Sequence, residues 1–116
     1  MKSVSPTQLD DWLAQARETA APGVQPVVLD VREPWELQTA SVRPEGFELV
    51  HMPMRTVPAR MHELDRQQPI ACLCHHGARS AQVVYFLMQH GFSDVVNIQG
   101  GINAWSMQRD PGVPLY

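Results

Sequence analysis

The chain has 116 residues, 44% of them hydrophobic and 18% charged, which suits one folded domain over 1–116 and argues against both disorder and two domains. Nine Lys+Arg against twelve Asp+Glu give a net charge of -3, without the basic surplus that nucleic acid or an anionic membrane attracts, so neither is expected as a partner. No apolar run approaches the length of a bilayer span, and the opening MKSVSPTQLDDWL lacks the apolar stretch of a secretory signal; a cytoplasmic protein is expected.

Proline and glycine punctuate the chain into short elements. Ser5-Pro6-Thr7-Gln8 reads as a helix start, with Ser5 as cap, Pro6 at the first helical position and Gln8 completing a capping box. Leu9, Trp12, Leu13 and Ala16 then recur at helical spacing, up to a stop at Pro22-Gly23. Val27 to Val31 is a run of mainly β-branched residues and reads as a buried strand. A short helix begins at Pro34, a second strand is expected over Phe47 to Met52, and Val57 to Asp65 reads as helix. Ile70 to Leu73 is another buried strand. Ser80 to His90 reads as a helix with Ala81, Val84, Leu87 and Met88 turned inward, followed by a last strand at Val95 to Ile98 and a helical turn through Trp105. Trp12, Trp35 and Trp105 are expected to pack, and Met52, Met54 and Met61 to fill the core. Strands that are apolar throughout and alternate with helices imply a parallel sheet covered on both faces, where ligands sit at the strands' carboxyl ends.

That rule directs attention to Cys74-His75-His76-Gly77-Ala78-Arg79-Ser80, which follows the strand at 70–73. A thiol at a strand end, a tight turn containing glycine and then a helix can form a cup of inward-facing N–H groups, reinforced by the positive end of the helix. Such a cup favours an anion and hence the thiolate of Cys74. Gly77 permits a positive φ, and Arg79 can hold a bidentate anion or brace the loop. Two chemistries suit a nucleophilic cysteine in this setting: sulfur transfer through a persulfide, and phosphoryl or arsenate chemistry through a covalent adduct. Cys72 lies in the same strand, where i and i+2 are roughly 6.5–7 Å apart, too far for an unstrained disulfide. It reads as a core residue, and both thiols as reduced. The spacing of Cys72, Cys74, His75 and His76 matches no common metal site, so no metal is expected.

The segment Cys74 to Ser80 resembles the active-site loop of rhodanese-domain sulfurtransferases. Leu29-Asp30-Val31-Arg32-Glu33-Pro34-Trp35-Glu36 is similar to that family's early signature, and Val95-Val96-Asn97-Ile98-Gln99-Gly100-Gly101-Ile102-Asn103-Ala104-Trp105 to its C-terminal one. The three occur in order, and the resemblance runs from about Ser3 to Trp105. It implies a central, mostly parallel five-stranded sheet flanked by helices on both faces. It also implies Cys74 as the catalytic residue, His75, His76, Gly77, Ala78, Arg79 and Ser80 around the substrate, and Asp30 and Arg32 supporting the loop. Sulfur would pass from a small donor, thiosulfate or a persulfide, through Cys74 to a thiol, cyanide or a sulfur-carrier protein, with no cofactor. From Cys74 to Arg79 the loop has six residues, whereas the related dual-specificity phosphatases use one more, so the resemblance favours sulfur over phosphorus. A phosphatase or arsenate reductase, or a non-catalytic binding module, are the alternatives. Between Val42 and Arg55 only His51-Met52-Pro53 resembles the family pattern, and no substrate-facing role is assigned there to Arg43, His51 or Arg55.

Overall fold

The structure is a computed structural model that describes residues 1–116. Five parallel strands form one sheet in the order β1-β5-β4-β2-β3: β1 (Lys2–Val4), β2 (Val27–Asp30), β3 (Glu48–His51), β4 (Ile70–Leu73) and β5 (Val95–Ile98). The helices are α1 (Leu9–Thr19), α2 (Pro34–Thr39), α3 (Val57–Arg60), α4 (Ala78–Gln89) and α5 (Gly101–Gln108). Short 3-10 turns at Met54–Thr56 and Met61–Glu63 flank α3. No helix is long and apolar enough to cross a membrane.

Every residue of β2, β4 and β5 is buried, as expected of strands covered on both faces. Their side chains alternate between two cores. Val27, Leu29, Ile70, Cys72 and Val95 pack with Val57 of α3 and with Val83, Val84 and Leu87 of α4. Val28, Ala71, Leu73, Val96 and Ile98 face the other way, onto Leu9 and Leu13 of α1 and Ile102 and Trp105 of α5.

Several details differ from the sequence reading. β1 precedes the first element read from the residues; it is a three-residue, mostly exposed edge strand and carries no apolar run to betray it. α1 starts at Leu9 rather than Pro6. Gln8 Oε1 does accept from the Ser5 amide at 2.9 Å, but the Ser5 hydroxyl bonds Thr7 instead of capping the helix. On α4, Val83 is buried while Met88 is 47% exposed, a helical phase shifted by one position. Trp35 is 62% exposed, because the first turn of α2 directs Glu36 inward instead.

Candidate active site

β4 delivers Cys74 to the carboxyl edge of the sheet, where the chain turns sharply into α4. Gly77 makes that turn with φ +106°, a conformation other residues rarely adopt. Its amide donates to Cys74 Sγ at 3.0 Å, so the turn closes back over the sulfur. Cys74 is only 1% exposed and lies at the floor of the loop.

A ring of side chains fixes this geometry. Asn97 Nδ2 donates to the Gly77 carbonyl at 3.2 Å, which orients the amide so that Oδ1 accepts the Ser80 hydroxyl at 2.5 Å. Ser80 Oγ in turn lies 3.2 Å from Cys74 Sγ. Gly77, Cys74, Ser80 and Asn97 therefore form a closed circuit of hydrogen bonds, buried on its Cys74–Ser80–Asn97 side, where such bonds reinforce one another. From behind, the start of α5 holds the loop: the Ile102 amide donates to the Cys74 carbonyl at 2.8 Å and the Asn103 amide to the His75 carbonyl at 3.1 Å. Gly101 allows this approach. A Cβ there would lie 2.4 Å from both carbonyl oxygens.

Arg79 is held by α2. Its guanidinium makes a bidentate pair with Glu36 of α2, with N···O distances of 2.6 and 2.8 Å. Hydrogen bonding from Arg79 pulls the Glu36 carboxyl down to about 2, and Glu36 in turn raises Arg79. Asp30 and Arg32 form a second, fully buried pair: both Asp30 oxygens accept from the guanidinium, the closest at 2.7 Å. Burial opposes the Arg32 charge, but Asp30 more than offsets it. Arg32 also donates to the Glu36 carbonyl at 3.4 Å, so Asp30 and Arg32 connect to the loop through α2 and Glu36. Arg32 and Glu36 thus meet through a backbone oxygen, while their side chains form two separate ion pairs.

Tyr116 joins them. Its hydroxyl donates to Glu36 Oε2 at 2.6 Å and accepts from Arg32 Nη1 at 3.0 Å. Its ring stacks on His75, with centroids 3.9 Å apart and planes 5° from parallel, and Trp35 meets it edge-on. His75 Nε2 donates to the Tyr116 backbone oxygen at 2.7 Å, and burial holds the His75 imidazole below its ordinary value. His76 and Ala78 are exposed at the rim. Outside the loop, His51 donates to the Arg32 carbonyl, Arg55 pairs with Glu33, and Arg43 pairs with Asp110. Cys72 is buried, and burial pushes its thiol up. No cluster of three metal-binding side chains is present.

Sequence reading missed Asn97, Glu36 and Tyr116. Asn97 was the more visible, as the one polar side chain in the buried run Val95–Ile98. Glu36 and Tyr116 gave no local signal, since their partners lie 43 and 84 positions away in the chain.

Residues 6–108 match the rhodanese-like domain. The chain belongs to that family. A member named sulfurtransferase, from Allochromatium vinosum, is 35% identical over 89 residues that cover 77% of each chain. A probable adenylyltransferase/sulfurtransferase MoeZ of Mycobacterium tuberculosis is 30% identical over 114 residues, 98% of this chain, but this chain spans only 27% of that protein. Among solved structures, a rhodanese-related protein from Thermoplasma volcanium aligns over the whole of both chains with a TM-score of 0.76 and 31% identity. The polysulfide-sulfur transferase of Wolinella succinogenes aligns over 100% of this chain and 78% of its own, with a TM-score of 0.70 and 25% identity. Sulfur transfer is the broad class of chemistry that these rhodanese-like relatives support.

Proposed function

We propose that this protein moves sulfane sulfur through a persulfide on Cys74. The observation that carries the reading is the Gly77 amide directed at the Cys74 sulfur across a closed six-residue loop. The Cys74 thiolate attacks the outer sulfur of a donor, forming a new S–S bond as the donor's own S–S bond breaks. Thiosulfate would release sulfite; a persulfide R–S–SH would release its parent thiolate, which takes up the proton from the transferred outer sulfur and leaves the negative charge on the Cys74 persulfide. An acceptor (a second thiolate, cyanide or a sulfur-carrier protein) then attacks the outer sulfur and regenerates the Cys74 thiolate. No oxidant, metal or cofactor enters the cycle.

Within this scheme the main-chain amides of His75 to Ser80, with the positive end of α4, stabilise the terminal sulfur anion as an oxyanion hole stabilises oxygen. Ser80 and Asn97 hold the turn at the right aperture. Arg79 braces the loop against α2, as Asp30 and Arg32 do one layer further back. Two free thiols suit a reducing compartment, and the cytoplasm is the setting we assign.

Intact mass spectrometry after incubation with thiosulfate, glutathione persulfide or inorganic polysulfide tests the reading. A gain of one sulfur is expected in the wild type and in Cys72→Ser, and none in Cys74→Ser. A folded protein that gains no sulfur from any of the three would overturn it.

A further inference from the structure

The cations nearest the loop are all occupied. Arg79 is bound to Glu36, Arg32 to Asp30 and Arg55 to Glu33. The only lysine, Lys2, lies on β1 at the far edge of the sheet from β3. Of these, Arg79 alone belongs to the loop and remains partly exposed, its side chain 32% accessible, while its Glu36 partner is 3% accessible. The Glu36 carboxylate takes the Nη1–Nη2 edge of the guanidinium and offsets its charge, which weakens its pull on a sulfonate.

Glu36 is itself held from its other side. Tyr116 donates to Oε2, and the same hydroxyl accepts from the immobile Arg32. The stacked His75 ring ties Tyr116 to the loop, so one phenol contacts α2, the buried Asp30–Arg32 pair and the Cys74 turn. No buried side-chain nitrogen or oxygen is left without a partner here or elsewhere.

We propose that Glu36 and Tyr116 are positioning residues that hold Arg79 against α2, so that the site disfavours donors presenting a sulfonate, such as thiosulfate, and favours persulfide and polysulfide donors. This rests on the sulfur-transfer reading above. A thiosulfate ion carries two negative charges and leaves as sulfite, so it needs a cation beside the loop for binding and departure. A persulfide, R–S–SH, gives its outer sulfur to the Cys74 thiolate while that sulfur's proton passes to the departing thiolate, which leaves as R–SH; the reacting atoms carry one negative charge throughout, and it ends on the Cys74 persulfide, where the loop amides suffice.

The test is steady-state sulfur transfer to cyanide, read as thiocyanate, with thiosulfate and glutathione persulfide as alternative donors. Wild type is compared with Glu36→Gln, Tyr116→Phe, Arg79→Ala and the double variant Glu36→Gln/Arg79→Ala, each checked for folding by circular dichroism. Glu36→Gln frees the guanidinium and is expected to lower the KM for thiosulfate by about tenfold, the worth of one charge-assisted hydrogen bond. The ratio of the thiosulfate KM to the persulfide KM should fall by that factor, since any loosening of the brace acts on both donors alike. Tyr116→Phe keeps the ring stack and should shift the thiosulfate KM in the same direction by about two- to threefold, which preserves the test if Glu36→Gln fails to fold. Adding Arg79→Ala should erase the gain, an effect that a merely structural role for Glu36 would not produce. The proposal is overturned if Arg79→Ala alone raises the thiosulfate KM relative to the persulfide KM, because Arg79 would then already bind the thiosulfate, whereas a loosened loop brace would raise both together. It is also overturned if folded Glu36→Gln and Tyr116→Phe leave the ratio of the two KM values unchanged. Absence of sulfur transfer from both donors in the wild type would instead remove the underlying reading, and this one with it.

Discussion

Substituting Gly101 by alanine tests how tightly α5 holds the Cys74 loop. The new Cβ would lie 2.4 Å from the backbone oxygens of Cys74 and His75, and neither can rotate away as a side chain would. Relief requires the loop to retreat by roughly 1 Å to reach ordinary contact. That movement weakens the Ile102 and Asn103 amide bonds to the same two oxygens, worth about 1 kcal/mol each. Alanine at φ +60° adds about 1 kcal/mol or more of backbone strain. A loss of about 3 kcal/mol is expected, a large share of the roughly 5–15 kcal/mol that stabilises a domain. Urea denaturation of wild type and Gly101→Ala measures it, and sulfur loading of the folded fraction should fall by up to about 100-fold, as for other misplacements of that size. A loss below about 1 kcal/mol with unchanged loading would show that the loop is not set by this contact.

Other expectations follow from the same network. Asp30→Ala leaves the buried Arg32 guanidinium without its carboxylate and should cost about 3–5 kcal/mol in chemical denaturation. Glu36 is stabilising where its carboxylate is charged. Because its folded value lies at about 2 against an ordinary 4.5, its contribution is complete above the ordinary range and is lost as pH falls toward 2. After allowance for the partial exposure of Arg79 it amounts to about 2 kcal/mol, and acid unfolding of Glu36→Gln should lack that component. Asn97→Ala opens the circuit at both Ser80 and Gly77. It should slow sulfur loading more than Ser80→Ala, which keeps the bond from Asn97 to the turn; equal rates for the two would contradict the circuit.

The sheet was legible because β2, β4 and β5 are almost wholly apolar, with only Asp30 and Asn97 polar among them, a pattern that suits strands covered on both faces. Cys74 was legible because a thiol, a glycine and a helix start fall within seven residues after such a strand. β1 was hidden by its shortness and exposure, since an edge strand is held by backbone bonds that any side chain permits. Trp35 and Met88 were misplaced because size and apolarity favour burial only on average, whereas the actual face is set by helical phase. The bracing of the loop was hidden most deeply. Arg79 and Arg32 stood out in the sequence, but their partners Glu36 and Tyr116 look like ordinary surface residues until the fold brings α2, α4 and the segment after α5 together.

A single-turnover experiment tests the account most directly. Protein treated with a sulfane donor and freed of excess reagent is mixed with cyanide, and thiocyanate is counted per chain. One thiocyanate per wild-type chain, with none from Cys74→Ser and an unchanged yield from Cys72→Ser, is the predicted result. Thiocyanate released at the wild-type level by Cys74→Ser would place the transferable sulfur elsewhere and contradict the assignment.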